Sequence, residues 1–146
     1  MVISVLFWQI LFAGQELSPA QRKQLIGYVL QDNYCFGELT MAENIALSTD
    51  YKVESVHQLL QKVQLNKELY QLPTLSGGER QRMEIARMLY HEKNLILADE
   101  VKANLDAQTM AKIDELLFAL PQTIVEVRHH YSKIDLERYD QVIQLS

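Results

Sequence analysis

The sequence predicts an α/β fold with a mainly parallel sheet, on three observations. Short apolar runs alternate with stretches of helical periodicity. One run, Leu95 to Ala98, is apolar throughout, as a strand covered on both faces must be. The section between Asn33 and His91 is mainly helical and sets apart a helical subdomain over about residues 33–92. The 146 residues, 48% of them hydrophobic, suffice for one domain with a sizeable core.

Met1 to Gln15 carries no charged side chain. It has no basic leader, and its apolar stretch to Gly14 is shorter than the roughly 20 residues that a helix needs to cross a bilayer. Its β-branched and aromatic residues, Val2, Ile3, Val5, Phe7, Trp8 and Ile10, are read as a buried strand, with Gln9 to Ala13 running into a turn at Gly14. Ser18-Pro19 opens a short helix: Ser18 is the N-cap, Pro19 the first helical residue, and Gln21 completes a capping box. Ile26 to Leu30 is a second strand, followed by a loop with Asp32, Asn33 and Gly37. Val53, Val56, Leu59, Leu60 and Val63 then mark a helix by their spacing.

Pro73 breaks the chain before Ser76, which caps a further helix with Glu79 three residues on and runs to about His91. The strand Leu95 to Ala98 ends in Asp99-Glu100. Met110, Ile113, Leu116, Leu117 and Leu120 give an amphipathic helix stopped by Pro121, Thr123 to Val127 the next strand, and Gln141 to Leu145 a last one.

Composition excludes little but directs the reading. A net charge of -5 without runs of like charge offers no footprint for nucleic acid or an anionic membrane, so no nucleic-acid partner is expected. The single cysteine, Cys35, has no partner for an internal disulfide, which fits a reducing, cytoplasmic location. His129-His130 lacks a cysteine or carboxylate cluster and is not read as a metal site, while His57 and His91 are read as surface residues.

Two stretches carry chemistry. In Leu75-Ser76-Gly77-Gly78-Glu79, adjacent glycines allow close approach to the backbone, and the helix starting there points unpaired N–H groups and the positive end of its dipole outward, which suits an anion. The same pattern also occurs as a plain turn and helix cap. Asp99 follows Ser76 by 23 residues, at the end of a buried strand, where α/β sheets place their ligands. There one carboxylate, Asp99, suits holding Mg²⁺, and the next, Glu100, suits orienting and deprotonating a water that attacks a γ-phosphate. A strand end that merely meets solvent gives the same two letters.

From about Gln9 to the C-terminus the chain resembles the ATP-binding-cassette (ABC) transporter ATPase family. Leu75 to Glu79 is similar to its signature motif and Asn94 to Glu100 to its Walker B segment. Gln31 matches the Q-loop glutamine, which the resemblance implies contacts Mg²⁺ and the attacking water. Asn104-Leu105-Asp106 matches the D-loop, and His129 the switch histidine that contacts the γ-phosphate. The implied fold is an incomplete P-loop-NTPase-type nucleotide-binding domain spanning residues 1–146, and the implied cofactors are ATP and Mg²⁺. The implied catalytic residues are Glu100, His129 and Gln31, with Ser76, Gly77, Gly78, Glu79 and Asp106 on nucleotide and Asp99 and Gln31 on the metal. Implied partners are a second ABC ATPase domain, paired head to tail, and a membrane permease, which places the chain at the inner face of the membrane. Leu39 to Ile45 looks more like stand-alone cassettes than fused exporters. Val101-Lys102 stands where the family usually has Pro-Thr, and Leu30 where proline or phenylalanine is common. The related chromosome-maintenance and DNA-repair ATPases insert long coiled coils between the Q-loop and the signature; here only a short helical stretch separates Gln31 from Ser76.

One motif is missing. Such ATPases cradle phosphates in a G-x-x-x-x-G-K-[ST] loop, the Walker A motif. None of the five glycines has another five positions on, and no lysine precedes Ser or Thr. The expectation is therefore a fragment of an ATP-hydrolysing transporter subunit, inactive alone, with a gap in its sheet and an apolar face prone to self-association. The alternative is a non-catalytic cassette remnant that works only by pairing with another ATPase or a permease.

Overall fold

The computed structural model describes residues 3–6, 9–12, 14–30, 34–101, 104–129, 131 and 136–144. The chain opens with an antiparallel ribbon in which β1 (Ile3–Leu6) pairs with β2 (Gln9–Phe12), and β2 with β3 (Gln15–Glu16). The single buried strand expected for this stretch is thus two strands. An uninterrupted strand would need an equally long partner, whereas by folding back, with Ile3 opposite Phe12, the chain supplies its own. Gly14, at φ +80°, makes the turn into β3 in a conformation that suits glycine.

Helix α1 (Pro19–Leu25) starts as its sequence requires: Ser18 Oγ accepts from Gln21 N–H at 3.3 Å, and Gln21 Oε1 accepts from Ser18 N–H at 2.9 Å. It leads directly into β4 (Ile26–Val29). Helix α2 (Met41–Ala46) is closed by another reciprocal cap, between Thr40 and Glu43. Helix α3 (Val53–Lys62) turns Val56 and Leu60 inward, while Val53, read as part of its apolar stripe, faces solvent. Helix α4 (Gly77–Tyr90), strand β5 (Leu95–Asp99), helix α5 (Ala107–Phe118) and strand β6 (Thr123–Val127) complete the elements.

Strands β4, β5 and β6 lie in that order in one parallel sheet, with Ile26, Leu95 and Thr123 level at one end and Asp99 beside Val127 at the other. The central strand is buried, with Leu95, Ile96 and Ala98 at 2%, 1% and 3% exposure. Among the described residues β6 pairs only with β5, and alternate residues Thr123, Val125 and Val127 face solvent. Residues 141–144, expected to be strand, are unpaired, and Val142 and Ile143 are exposed. Strand propensity needs a partner edge to express itself, and among the described residues no strand edge is joined to them.

One core joins the sheet to the helices: Val29 and Ile96 pack with Met41, Leu60, Met83 and Ile113. Each such side chain stabilises the fold by about 1.5–3 kcal/mol. A polar knot lies inside it. Asn44 is fully buried; its amide donates to the carbonyls of Phe36 and Leu39 at 2.9 Å each, and its Oδ1 accepts from Phe36 N–H at 2.8 Å. Arg87 of α4 donates to Asn44 O at 2.7 Å and Tyr34 O at 3.1 Å and pairs with Glu84. These bonds fasten the stretch after β4 to α2 and α4. No described helix is long and apolar enough to cross a membrane.

Candidate functional site

The proposed site residues fall into two clusters. The first is at the start of α4. Ser76 Oγ accepts from Glu79 N–H at 3.3 Å and Glu79 Oε2 accepts from Ser76 N–H at 2.9 Å, so the capping box read from sequence is present. Glu79 Oε1 also lies 2.9 Å from Lys67 Nζ. The Ser76 N–H bond, then the Lys67 ammonium, hold the Glu79 carboxyl below its ordinary range. Lys67 belongs to no motif and is twelve residues away in sequence, so only the fold brings it to the signature helix.

Gly77 and Gly78 have different roles. A Cβ on Gly78 would meet the backbone carbonyl of Asn104 at 2.8 Å, whereas one on Gly77 would meet Asn104 Cβ at an ordinary 3.9 Å. Gly78 is therefore required by packing within the chain, and Gly77 is the glycine left open to an incoming group. The same contact brings Asn104 and Leu105 against the signature helix. Asp106, next in line, is the N-cap of α5: its Oδ1 accepts from Gln108 N–H at 3.1 Å and Thr109 N–H at 3.0 Å. Its bonds with Thr109 lower the Asp106 pKa most.

The second cluster is at the C-terminal end of the sheet. Asp99 ends β5 with its side chain exposed. Glu100 follows with φ +47°, a left-handed conformation unusual for a residue with a side chain, and its N–H donates to Val127 O at 3.2 Å. That bond ties the turn to the end of β6, and Glu100 Oε1 lies 3.0 Å from Nε2 of His129, just past β6. Residues 29 positions apart in sequence are thus brought together by the β5–β6 pairing. Gln31, the remaining predicted ligand, and His130 lie outside the described residues. Val101 is buried in the core, so the departure from the usual proline at this position is filled by packing. His57 and His91 are exposed, as expected.

The sequence profile of the ABC transporter family matches residues 8–103. The chain belongs to the ABC transporter family. Among curated relatives, the lipoprotein-releasing system ATP-binding protein LolD 1 of Rhodopirellula baltica is 36% identical over 80% of this chain and 56% of its own length. The methionine import ATP-binding protein MetN of Lactobacillus delbrueckii subsp. bulgaricus is 36% identical over 84% of this chain and 38% of its own. This ABC chain therefore spans less than two thirds of the relatives it matches. Its fold is similar to part of a bacterial Atm1-family ABC exporter solved with ATP bound, at TM-score 0.71 and 26% identity over 83% of this chain and 24% of the other.

At the end of the sheet this member of the ABC transporter family has donors of the kind that suit Mg²⁺. Asp99 and Glu100 are adjacent carboxylates, and Mg²⁺ commonly takes one or two carboxylate oxygens and completes its shell with water and substrate phosphate. The described residues hold no cluster of three or more His, Cys, Asp or Glu that could hold a metal ion.

Proposed function

We propose that this chain contributes part of the ATP·Mg²⁺ site of a transporter ATPase subunit, and that hydrolysis there drives transmembrane transport. The observation that carries the reading is the 3.0 Å contact between Glu100 Oε1 and His129 Nε2, beside Asp99 at the end of the parallel sheet. In this reading Asp99 and Gln31 hold the Mg²⁺, which supplies charge neutralisation at the phosphates when bound. Glu100 accepts the proton of the attacking water. His129 steadies that carboxylate and faces the γ-phosphate. Ser76, Gly77 and the free N–H groups of α4 meet the phosphates of nucleotide held by a second ABC ATPase domain, with Asp106 alongside.

The G-x-x-x-x-G-K-[ST] pattern is absent from the 146 residues, so the phosphate cradle has to come from residues outside them. The chain by itself therefore binds ATP weakly and does not turn it over. Its partners are that second ATPase domain and a membrane permease, which places it at the cytoplasmic face of the membrane.

Phosphate release by the purified chain, with Glu100→Gln as control, tests this. The expected result is no release above the control. Turnover abolished by Glu100→Gln would show that the chain is a complete enzyme. Mn²⁺ added with excess ATP should broaden the amide signals of Asp99 and Glu100 ahead of those elsewhere; uniform broadening would remove the metal role.

A further inference from the structure

Apart from the two clusters and the Arg87 knot, a partly buried polar network adjoins His129. Glu126 near the end of β6 and Arg128 just past it alternate in position, with side chains 5% and 17% exposed. Tyr139, in the segment that follows, donates its hydroxyl proton to Glu126 Oε2, and Arg128 Nη1 donates to the same hydroxyl at 3.2 Å. Arg128 Nε lies 3.9 Å from Glu126 Oε1, which closes the triangle. The Tyr139 ring packs edge-on against Phe118 of α5 at 5.1 Å, and the Arg138 guanidinium covers the other ring at 3.9 Å. Burial and the bond to Glu126 push the Tyr139 pKa up to about 12, so the hydroxyl keeps its proton and remains a donor.

The geometry points to Tyr139 as a positioning residue for the Glu100–His129 pair. Its hydroxyl ties together the two side chains that precede His129 on alternate positions, and its ring pins them to α5. With β6 held there, Val127 O stays in place to receive Glu100 N–H, and His129 leaves the strand toward Glu100 Oε1. Removing the hydroxyl takes away both the bond to Glu126 and the bond from Arg128, which join the strand end before His129 to the segment that carries Tyr139. The bearing of this on hydrolysis rests on the ATPase role proposed above; the positioning itself is measurable without nucleotide.

The test is a double-mutant cycle read on the His129 ring signals of the full chain at one fixed pH. Replacing Glu100 by Gly removes the carboxylate and moves those signals. In a Tyr139→Phe background, which keeps the ring against Phe118, the same replacement should move them by at most about half as much, because the contact is already loosened. A displacement retaining more than that fraction overturns the assignment. Should Tyr139→Phe not fold, Glu126→Gln is judged by the same criterion. Failure of the chain to bind or hydrolyse ATP leaves this readout unaffected, so the two readings fail separately.

Discussion

Gly78 and Asn104 meet so closely that a Cβ on the glycine would lie 2.8 Å from the asparagine carbonyl oxygen. Backbone cannot swing aside as a side chain can. Gly78→Ala should therefore destabilise the chain by about 1–3 kcal/mol, the usual range for overpacking. Gly77→Ala meets only an ordinary contact and should be neutral or slightly stabilising, since alanine favours a helix by up to about 1 kcal/mol over glycine. Urea denaturation of both variants distinguishes them, and equal effects would mean that the Gly78 contact relaxes freely.

The left-handed backbone of Glu100 costs about 1–2 kcal/mol for a residue with a Cβ. Glu100→Gly should leave the unfolding midpoint no lower than in the parent, although it removes the carboxylate facing His129. Glu100→Val, which tolerates this conformation poorly, should lower it. A marked loss in the glycine variant would show that the carboxylate contacts outweigh the strain.

Arg87 is a buried charge bonded to Asn44 O and Tyr34 O and paired with Glu84. Arg87→Met should cost about 3 kcal/mol or more, because it leaves buried acceptors and a carboxylate without their cation. Guanidinium denaturation would show it; a cost within about 0.5 kcal/mol, as for an ordinary surface change, would contradict the assignment.

Glu79 predicts a pH dependence. Its folded pKa is lowered from 4.5 by Ser76 N–H and Lys67, so the stability it contributes is present above that value and is lost as pH falls through the folded one. Glu79→Gln should lose less stability than the parent between about pH 5 and pH 3. Glu43 and Asp106, also lowered, remain in both proteins, so the difference isolates Glu79. Parallel acid limbs would mean that the cap does not titrate.

Strand β6 shows Val125 and Val127 at 41% and 48% exposure, and among the described residues its outer edge pairs with no strand. Its sequence, Thr-Ile-Val-Glu-Val, places no charge on that outer face. Val125→Lys should reduce self-association in sedimentation or light-scattering measurements, since a lysine on an edge opposes strand addition. An unchanged association would locate the sticky surface elsewhere.

What the sequence revealed was mostly local. The caps at Ser18 and Ser76, the buried run Leu95 to Ala98 and the helix stopped by Pro121 each follow from neighbouring residues, and all are present. Thr40-x-x-Glu43 carries the same capping pattern but lies in a stretch with little periodicity, so it passed unread. The errors were matters of pairing. Whether residues 3–12 form one strand or two, and whether 141–144 form any, depends on which edges are available, and hydropathy does not encode edges. The site divides in the same way. Asp99-Glu100 and Ser76 to Glu79 are contiguous motifs, whereas Lys67 and Tyr139 reach their partners only through the fold.

The knot around Arg87 has a mechanical consequence. Its guanidinium grips the carbonyl of Tyr34, three residues after Gln31, while its backbone belongs to the helix whose other end is Ser76. Such a helix works as a stiff rod with a handle near one end. A displacement at Tyr34 would therefore load the same helix that begins beside Ser76.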